Sequence, residues 1–204
     1  MNAYIAREKY IVKERKPGGI GVSVTQDEDV AMYESTRRKN VESYNTWLFI
    51  TVPDTSFFLD IVRPVREQSA EVIGCLQKKE FLTTLFTSEC RKLYKGMDDI
   101  VQNEATNEAK LERSNKVFAD FLSEKYDFLL NIPTGEELFE FIQARCRNHD
   151  PAKSSALLYS SGIKGTLFTD DTGERILLYN AAKDIIVVDE KAMQLSDARA
   201  RTIL

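Results

Sequence analysis

Apolar residues alternate with polar or small ones near both ends of the chain and recur at steps of three and four between them. That pattern predicts strands at the ends and helices in the middle. "AYIAREKYIVKE" (3–14) predicts one or two strands, and "KPGG" a turn after them. In "IGVSV" Ile20, Val22 and Val24 alternate with Gly21 and Ser23, the period of a half-buried strand. Thr25 stands where an N-cap belongs, ahead of "QDEDVAMYESTRRK". That helix is acidic in its first turn and basic in its last, as its dipole favours. "TWLFITVP" predicts another strand, stopped by Pro53.

From Pro64 to about Leu130 the period is helical. Val65, Val72, Ile73 and Leu76 form one stripe, and Val117, Phe118, Phe121, Leu122 and Leu129 another. The polar segment 98–115 between them reads either as an exposed helix or as a connector. Thr134 and Glu137 have capping-box spacing ahead of Leu138, Phe141 and Ile142. Asp150 as N-cap, Pro151 at the first helical position and Gly162 as a left-handed stop delimit a further helix. "GTLFTD", "RILLYN" and "DIIVVDE" close the chain as strands, with a polar helix expected after them. The fold class is therefore α+β, one domain whose terminal strands meet in one sheet. Residues 1–77 supply the N-terminal half of the sheet and the first helices, 78–133 a helical insertion, and 134–204 the last helices and closing strands.

With 204 residues, 43% apolar and 29% charged, the chain can bury a sizeable core. A net charge of −4 argues against general nucleic-acid binding, and the basic run Arg37, Arg38, Lys39 reads as a solvated helix face. The longest apolar runs fall short of the ~20 residues of a membrane helix. No signal-peptide core precedes Arg7, Glu8 and Lys9, so a cytoplasmic protein is expected. Cys75, Cys90 and Cys146 are odd in number and far apart, which suits reduced thiols. With one histidine, His149, in a surface loop and no paired cysteines, no metal site is expected.

Two stretches carry a resemblance. Residues 18–72 hold Thr25, Asp27, Val30, Ala31, Tyr33, Pro53, Leu59, Asp60, Pro64, Glu67, Gln68, Ser69 and Val72 in an order that resembles a domain of large polyvalent proteins of phages and conjugative elements. Residues 152–190, with "GIKGTLFTDDTGERILLYN", are similar to the close of such domains and of small phage-borne anti-CRISPR proteins with an ADP-ribosyltransferase fold. The resemblance covers about half the chain and skips its helical middle. It implies a split mixed sheet gripping NAD across a cleft, in a phage or mobile-element protein acting on a host protein, such as a defence component, in the host cytoplasm.

Breaking the nicotinamide–ribose bond passes through an oxocarbenium-like state, which a preorganised carboxylate stabilises. Carried over by position, Asp170 falls on the acidic site, with Asp171 beside it. Ser23 and Thr25 fall on the second-strand position lining NAD, and Tyr33 on the helix behind it. The first-strand histidine of these enzymes is missing. The chain begins Tyr4-Ile5-Ala6-Arg7, and Arg7, on the same strand face as Ile5, is the substitute to hold the cofactor. Each residue has a plainer role as well. Asp170-Asp171-Thr172-Gly173 is a natural hairpin turn, Thr25 a helix cap, and Tyr33 a core or half-buried side chain. Glu67 and Gln68 either open a helix or face the cleft. Two functions stay open: an NAD-dependent ADP-ribosyltransferase, and an inactive module of that fold that blocks a host partner by contact.

Overall fold

The computed structural model describes residues 1–6, 13–16, 18–37 and 46–192. Arg7, Arg38, Lys39, the second half of the first strand segment and the expected C-terminal helix lie outside the described residues.

Three strands and a helix open the fold: β1 (Asn2–Ala6), β2 (Glu14–Lys16), β3 (Gly19–Thr25) and α1 (Glu28–Arg37). β4 (Thr46–Thr51) and the short β5 (Phe58–Asp60) follow. Six helices then run without an intervening strand: α2 (Ala70–Leu76), α3 (Lys79–Leu85), α4 (Thr87–Val101), α5 (Asn107–Leu130), α6 (Gly135–Arg145) and α7 (Pro151–Ser161). β6 (Gly165–Asp170), β7 (Gly173–Leu178), α8 (Ala181–Asp184) and β8 (Ile186–Ala192) complete it. The strands form one mixed sheet in the order β5-β6-β7-β3-β1-β4-β8, with β2 on β3. Strands from both ends of the chain thus meet, as the α+β reading expects. β5 and β6 pair in parallel, so the whole helical run is the crossover that parallel pairing demands.

Several local expectations hold for stated reasons. Thr134 Oγ1 accepts the Glu137 N–H at 3.2 Å, and Asp150 Oδ1 the Ala152 N–H at 2.9 Å. Gly162 ends α7 at φ 117°, a conformation costly for any residue with a Cβ. The polar segment 98–115 is neither one long helix nor a bare connector. α4 ends at Val101, and Thr106 starts α5 by accepting the Ala109 N–H at 3.1 Å.

The cap of α1 differs from the expectation. Asp27 Oδ1 accepts the amides of Asp29 and Val30, whereas Thr25 Oγ1 accepts the Asp27 N–H, two residues too early to cap. The acidic side chain wins because the helix starts at Glu28, three residues after the strand. β3 also departs from half-burial. Its residues from Gly21 to Thr25 are all buried, because β3 lies in the middle of the sheet with cover on both faces.

Two apolar clusters flank the sheet. The larger joins Leu59 and Leu177 to Phe81, Phe86, Phe118, Leu129, Leu138 and Leu158 of the crossover helices. α6 and α7 therefore share one core with α3 and α5. Each such side chain is worth roughly 1.5–3 kcal/mol of burial. The smaller cluster lies on the other face: Ala3, Ile5, Val22, Val24, Leu48, Ile50, Ile176 and Leu178, closed by Ala181 and Ile185 around α8.

Candidate functional site

At the middle of the sheet two strands barely touch. β1 meets β3 through a single pair, Tyr4↔Thr25, while β3 pairs with β7 from Val22↔Leu178 to Thr25↔Arg175. Beside that junction a cavity of about 540 Å³ is lined by Tyr4, Thr25, Gln26, Asp27, Glu28, Thr172, Gly173 and Glu174. A second, of about 350 Å³, shares Gln26 and Glu174 and reaches Asp60, Arg63, Phe168 and Arg175. In the larger cavity every charged residue of the described lining is acidic.

Behind the cavities sits Arg175, with 1% of its side chain exposed. The alternation of β7 turns Arg175 to the same face as Leu177, so its charge must be met inside the protein. Its Nη2 donates to Glu34 Oε1 of α1 at 2.9 Å. Its Nε donates to Ser23 Oγ at 3.4 Å, and its Nη1 to Thr172 Oγ1 at 3.4 Å. Asp170 Oδ2 lies 4.0 Å from Nε and 3.8 Å from Lys16 Nζ of β2.

The nominated residues separate accordingly. Asp170 and Ser23 come together, but around Arg175 rather than around an open cleft. Asp170 Oδ1 accepts both the amide and the hydroxyl of Thr172, at 2.9 and 2.5 Å, which fixes the two-residue turn of the β6–β7 hairpin. Gly173 pairs with Asp170 just past that turn at φ 113°, a left-handed conformation that favours glycine. Burial opposes ionisation of Asp170. The Thr172 hydrogen bonds, with Arg175 and Lys16 behind them, outweigh it and hold the carboxyl below its ordinary value. Asp171 is the exposed turn residue. Thr25 is buried and engaged with Asp27, and it lines the larger cavity. Tyr33, expected in the core or half-buried, is 56% exposed. α1 turns Ala31, Glu34 and Ser35 inward at helical spacing, which puts Tyr33 on the outer side. Gln68 is no cleft residue either. It is buried and holds the end of β5, accepting the Asp60 N–H and donating to the carbonyls of Asp60 and Arg63.

Glu28 anchors the other wall of the larger cavity. It accepts from Lys191 Nζ at 2.7 Å and from Trp47 Nε1 at 3.1 Å. The Lys191 bond is the main reason its carboxyl lies below the ordinary range. The residues the sequence reading missed are Arg175, Glu34, Lys16 and Glu28. Two of them had a signal. Arg175 sits in the inward alternation of "RILLY", and Glu34 falls three residues after the buried Ala31; a charge on each apolar stripe demands a partner.

Among the described residues, no three His, Cys, Asp or Glu side chains converge as metal ligands would. No described helix is long and apolar enough to cross a membrane. No protein-family model, curated protein or solved structure matches the chain.

Proposed function

We infer that this chain is a catalytically silent binding module on an ADP-ribosyltransferase-like plan, which acts by contact with a host protein. One observation carries this reading: Ser23 and Asp170, two of the residues nominated to hold and cleave NAD, are drawn to the buried Arg175, and Asp170 Oδ1 already accepts the amide and hydroxyl of Thr172. Charge points the same way. A dinucleotide brings two phosphate charges, which amide donors and cations bind and carboxylates repel. The larger cavity offers Asp27, Glu28 and Glu174 instead. The partner class, a defence component met by a phage or mobile-element protein, comes from the family resemblance.

The reading as an NAD-dependent ADP-ribosyltransferase rests on the single-pair junction Tyr4↔Thr25 and the cavity beside it. Thermal unfolding with and without millimolar NAD separates the two. A ligand at ~100 times its dissociation constant adds about 2.7 kcal/mol, roughly 5–10 °C for a chain of this size. The expected result is no shift. A shift of that size, lost in Asp170→Ala with the fold retained, would overturn the silent-module reading.

A further inference from the structure

β8 ends the sheet. Its inner edge pairs with β4 from Thr51↔Ile186 to Thr46↔Ala192, and among the described residues no strand lies on its outer edge. Ile186, Val187 and Val188 run consecutively there and are 67%, 45% and 55% exposed. Three exposed β-branched residues beside an open backbone edge form a template for another strand. The register slips at Phe49/Ile50 and leaves Val188 without a partner on β4, so the edge is bent there but carries neither charge nor proline in its apolar run. Acidic residues follow. Asp189 Oδ1 accepts the Glu190 N–H at 2.8 Å. The edge is therefore apolar at one end and acidic at the other.

We propose that the outer edge of β8 docks an extended segment of another protein, β-branched or aromatic where it meets Ile186, Val187 and Val188, and basic where it meets Asp189 and Glu190. A second copy of this chain is a poor occupant: registers that would oppose its Asp189 or Glu190 to Lys191 need Lys191 Nζ, which Glu28 already holds at 2.7 Å, and the others are penalised. Antiparallel self-pairing about Asp189, about Glu190 or between them sets carboxylates opposite one another. Self-pairing about Val188 sets Asp189 against Val187 and Glu190 against Ile186, which desolvates charge against apolar side chains. Parallel in-register pairing stacks Asp189 on Asp189. The chain's net charge of −4 adds to each penalty and favours a basic partner. Strand addition supplies affinity through main-chain hydrogen bonds, and the side chains supply selectivity. The site gives the binding-module reading its partner-facing surface and rests on that reading for the existence of a partner. Arg175 and NAD play no part in it, so either conclusion can fail alone.

The probe is a fluorescein-labelled eight-residue peptide with a block of four valines and a block of four lysines, made in both orders, with its glutamate–valine counterpart as control, titrated by anisotropy into the full chain. Saturable binding is expected, at least about tenfold tighter for the lysine peptide. Asp189→Lys with Glu190→Lys should reverse that preference. Val188→Pro, at the position the register slip leaves without a β4 partner, should weaken both peptides at least about tenfold. Unchanged thermal unfolding checks that each variant folds; where Val188→Pro does not, Val187→Lys serves, since it keeps the backbone and charges the apolar run. The proposal is overturned by no saturation with the lysine peptide, by equal affinity for both peptides, or by variants that bind as wild type does. A dimer of the chain alone that Val188→Pro dissolves also overturns it, and assigns the edge to a second copy.

Discussion

Removing the Glu34 carboxylate tests the Arg175 centre most directly. Arg175 and Glu34 meet at 2.9 Å with side-chain exposures of 1% and 9%, so water screens them little. Glu34→Ala leaves the guanidinium buried with two hydroxyls at 3.4 Å and the Asp170 carboxylate at 4.0 Å. Breaking a buried pair from one side costs about 3–5 kcal/mol, because the other charge stays desolvated. Asp170 offsets part of that, so the lower end, about 3 kcal/mol, is the working figure. For a chain of this length that is a fall of roughly 6–12 °C in Tm. Urea denaturation at neutral pH should show a lower midpoint with an unchanged slope. Glu34→Leu combined with Arg175→Met should recover most of the loss, since it removes both desolvated charges. A Glu34→Ala cost under about 1 kcal/mol, additive with that of Arg175→Met, would mean the two do not act as a unit. The centre could not then be called filled, and the main support for a silent module would go with it.

Two titrations test charged contacts, one in this centre and one outside it. Asp170 has its folded pKa lowered, so its contribution to stability is complete above about pH 4 and is lost as pH falls through the folded value. The stability difference between wild type and Asp170→Asn, measured in urea at stepped pH, should be positive near neutrality and shrink in acid; a difference independent of pH refutes the assignment. Glu89 is held at about 2, first by the Ser88 hydroxyl, against burial, and then by Arg145. A carboxyl NMR titration should place its midpoint there and Ser88→Ala should raise it, while an ordinary glutamate midpoint in wild type would rule the Ser88 bond out.

What the sequence revealed of the fold were features decided within one turn of chain. Asp150, Pro151 and Gly162 mark α7 because capping and left-handed stops depend on residues four or fewer apart. Strand order depends on pairings across the whole chain and was beyond reach. β5 spans only Phe58–Asp60, too short to show a period, yet its parallel pairing with β6 decides that α2 to α7 form a single crossover. Thr25 and Asp27 show a subtler limit. Both suit an N-cap, and only the position of the helix start, three residues beyond the strand, chooses between them.

Two members of the candidate site were legible in the sequence, and its logic was not. Asp170 and Ser23 do converge, but on an arginine whose main partner lies 141 residues away in sequence. A residue's type and place along a strand say that a hydroxyl or carboxylate points inward. They do not say whether it meets a ligand or an internal charge, because that depends on what the opposite element turns toward it. Here α1 turns Glu34 inward, Arg175 needs Glu34, and the geometry that satisfies Arg175 also takes up Ser23, Thr172 and Asp170. At the far edge of the same sheet Ile186, Val187 and Val188 stand exposed, with no strand beyond β8 among the described residues. Central polar groups engaged with one another, beside a sheet edge left open, are the physical reason to look for a partner before a substrate.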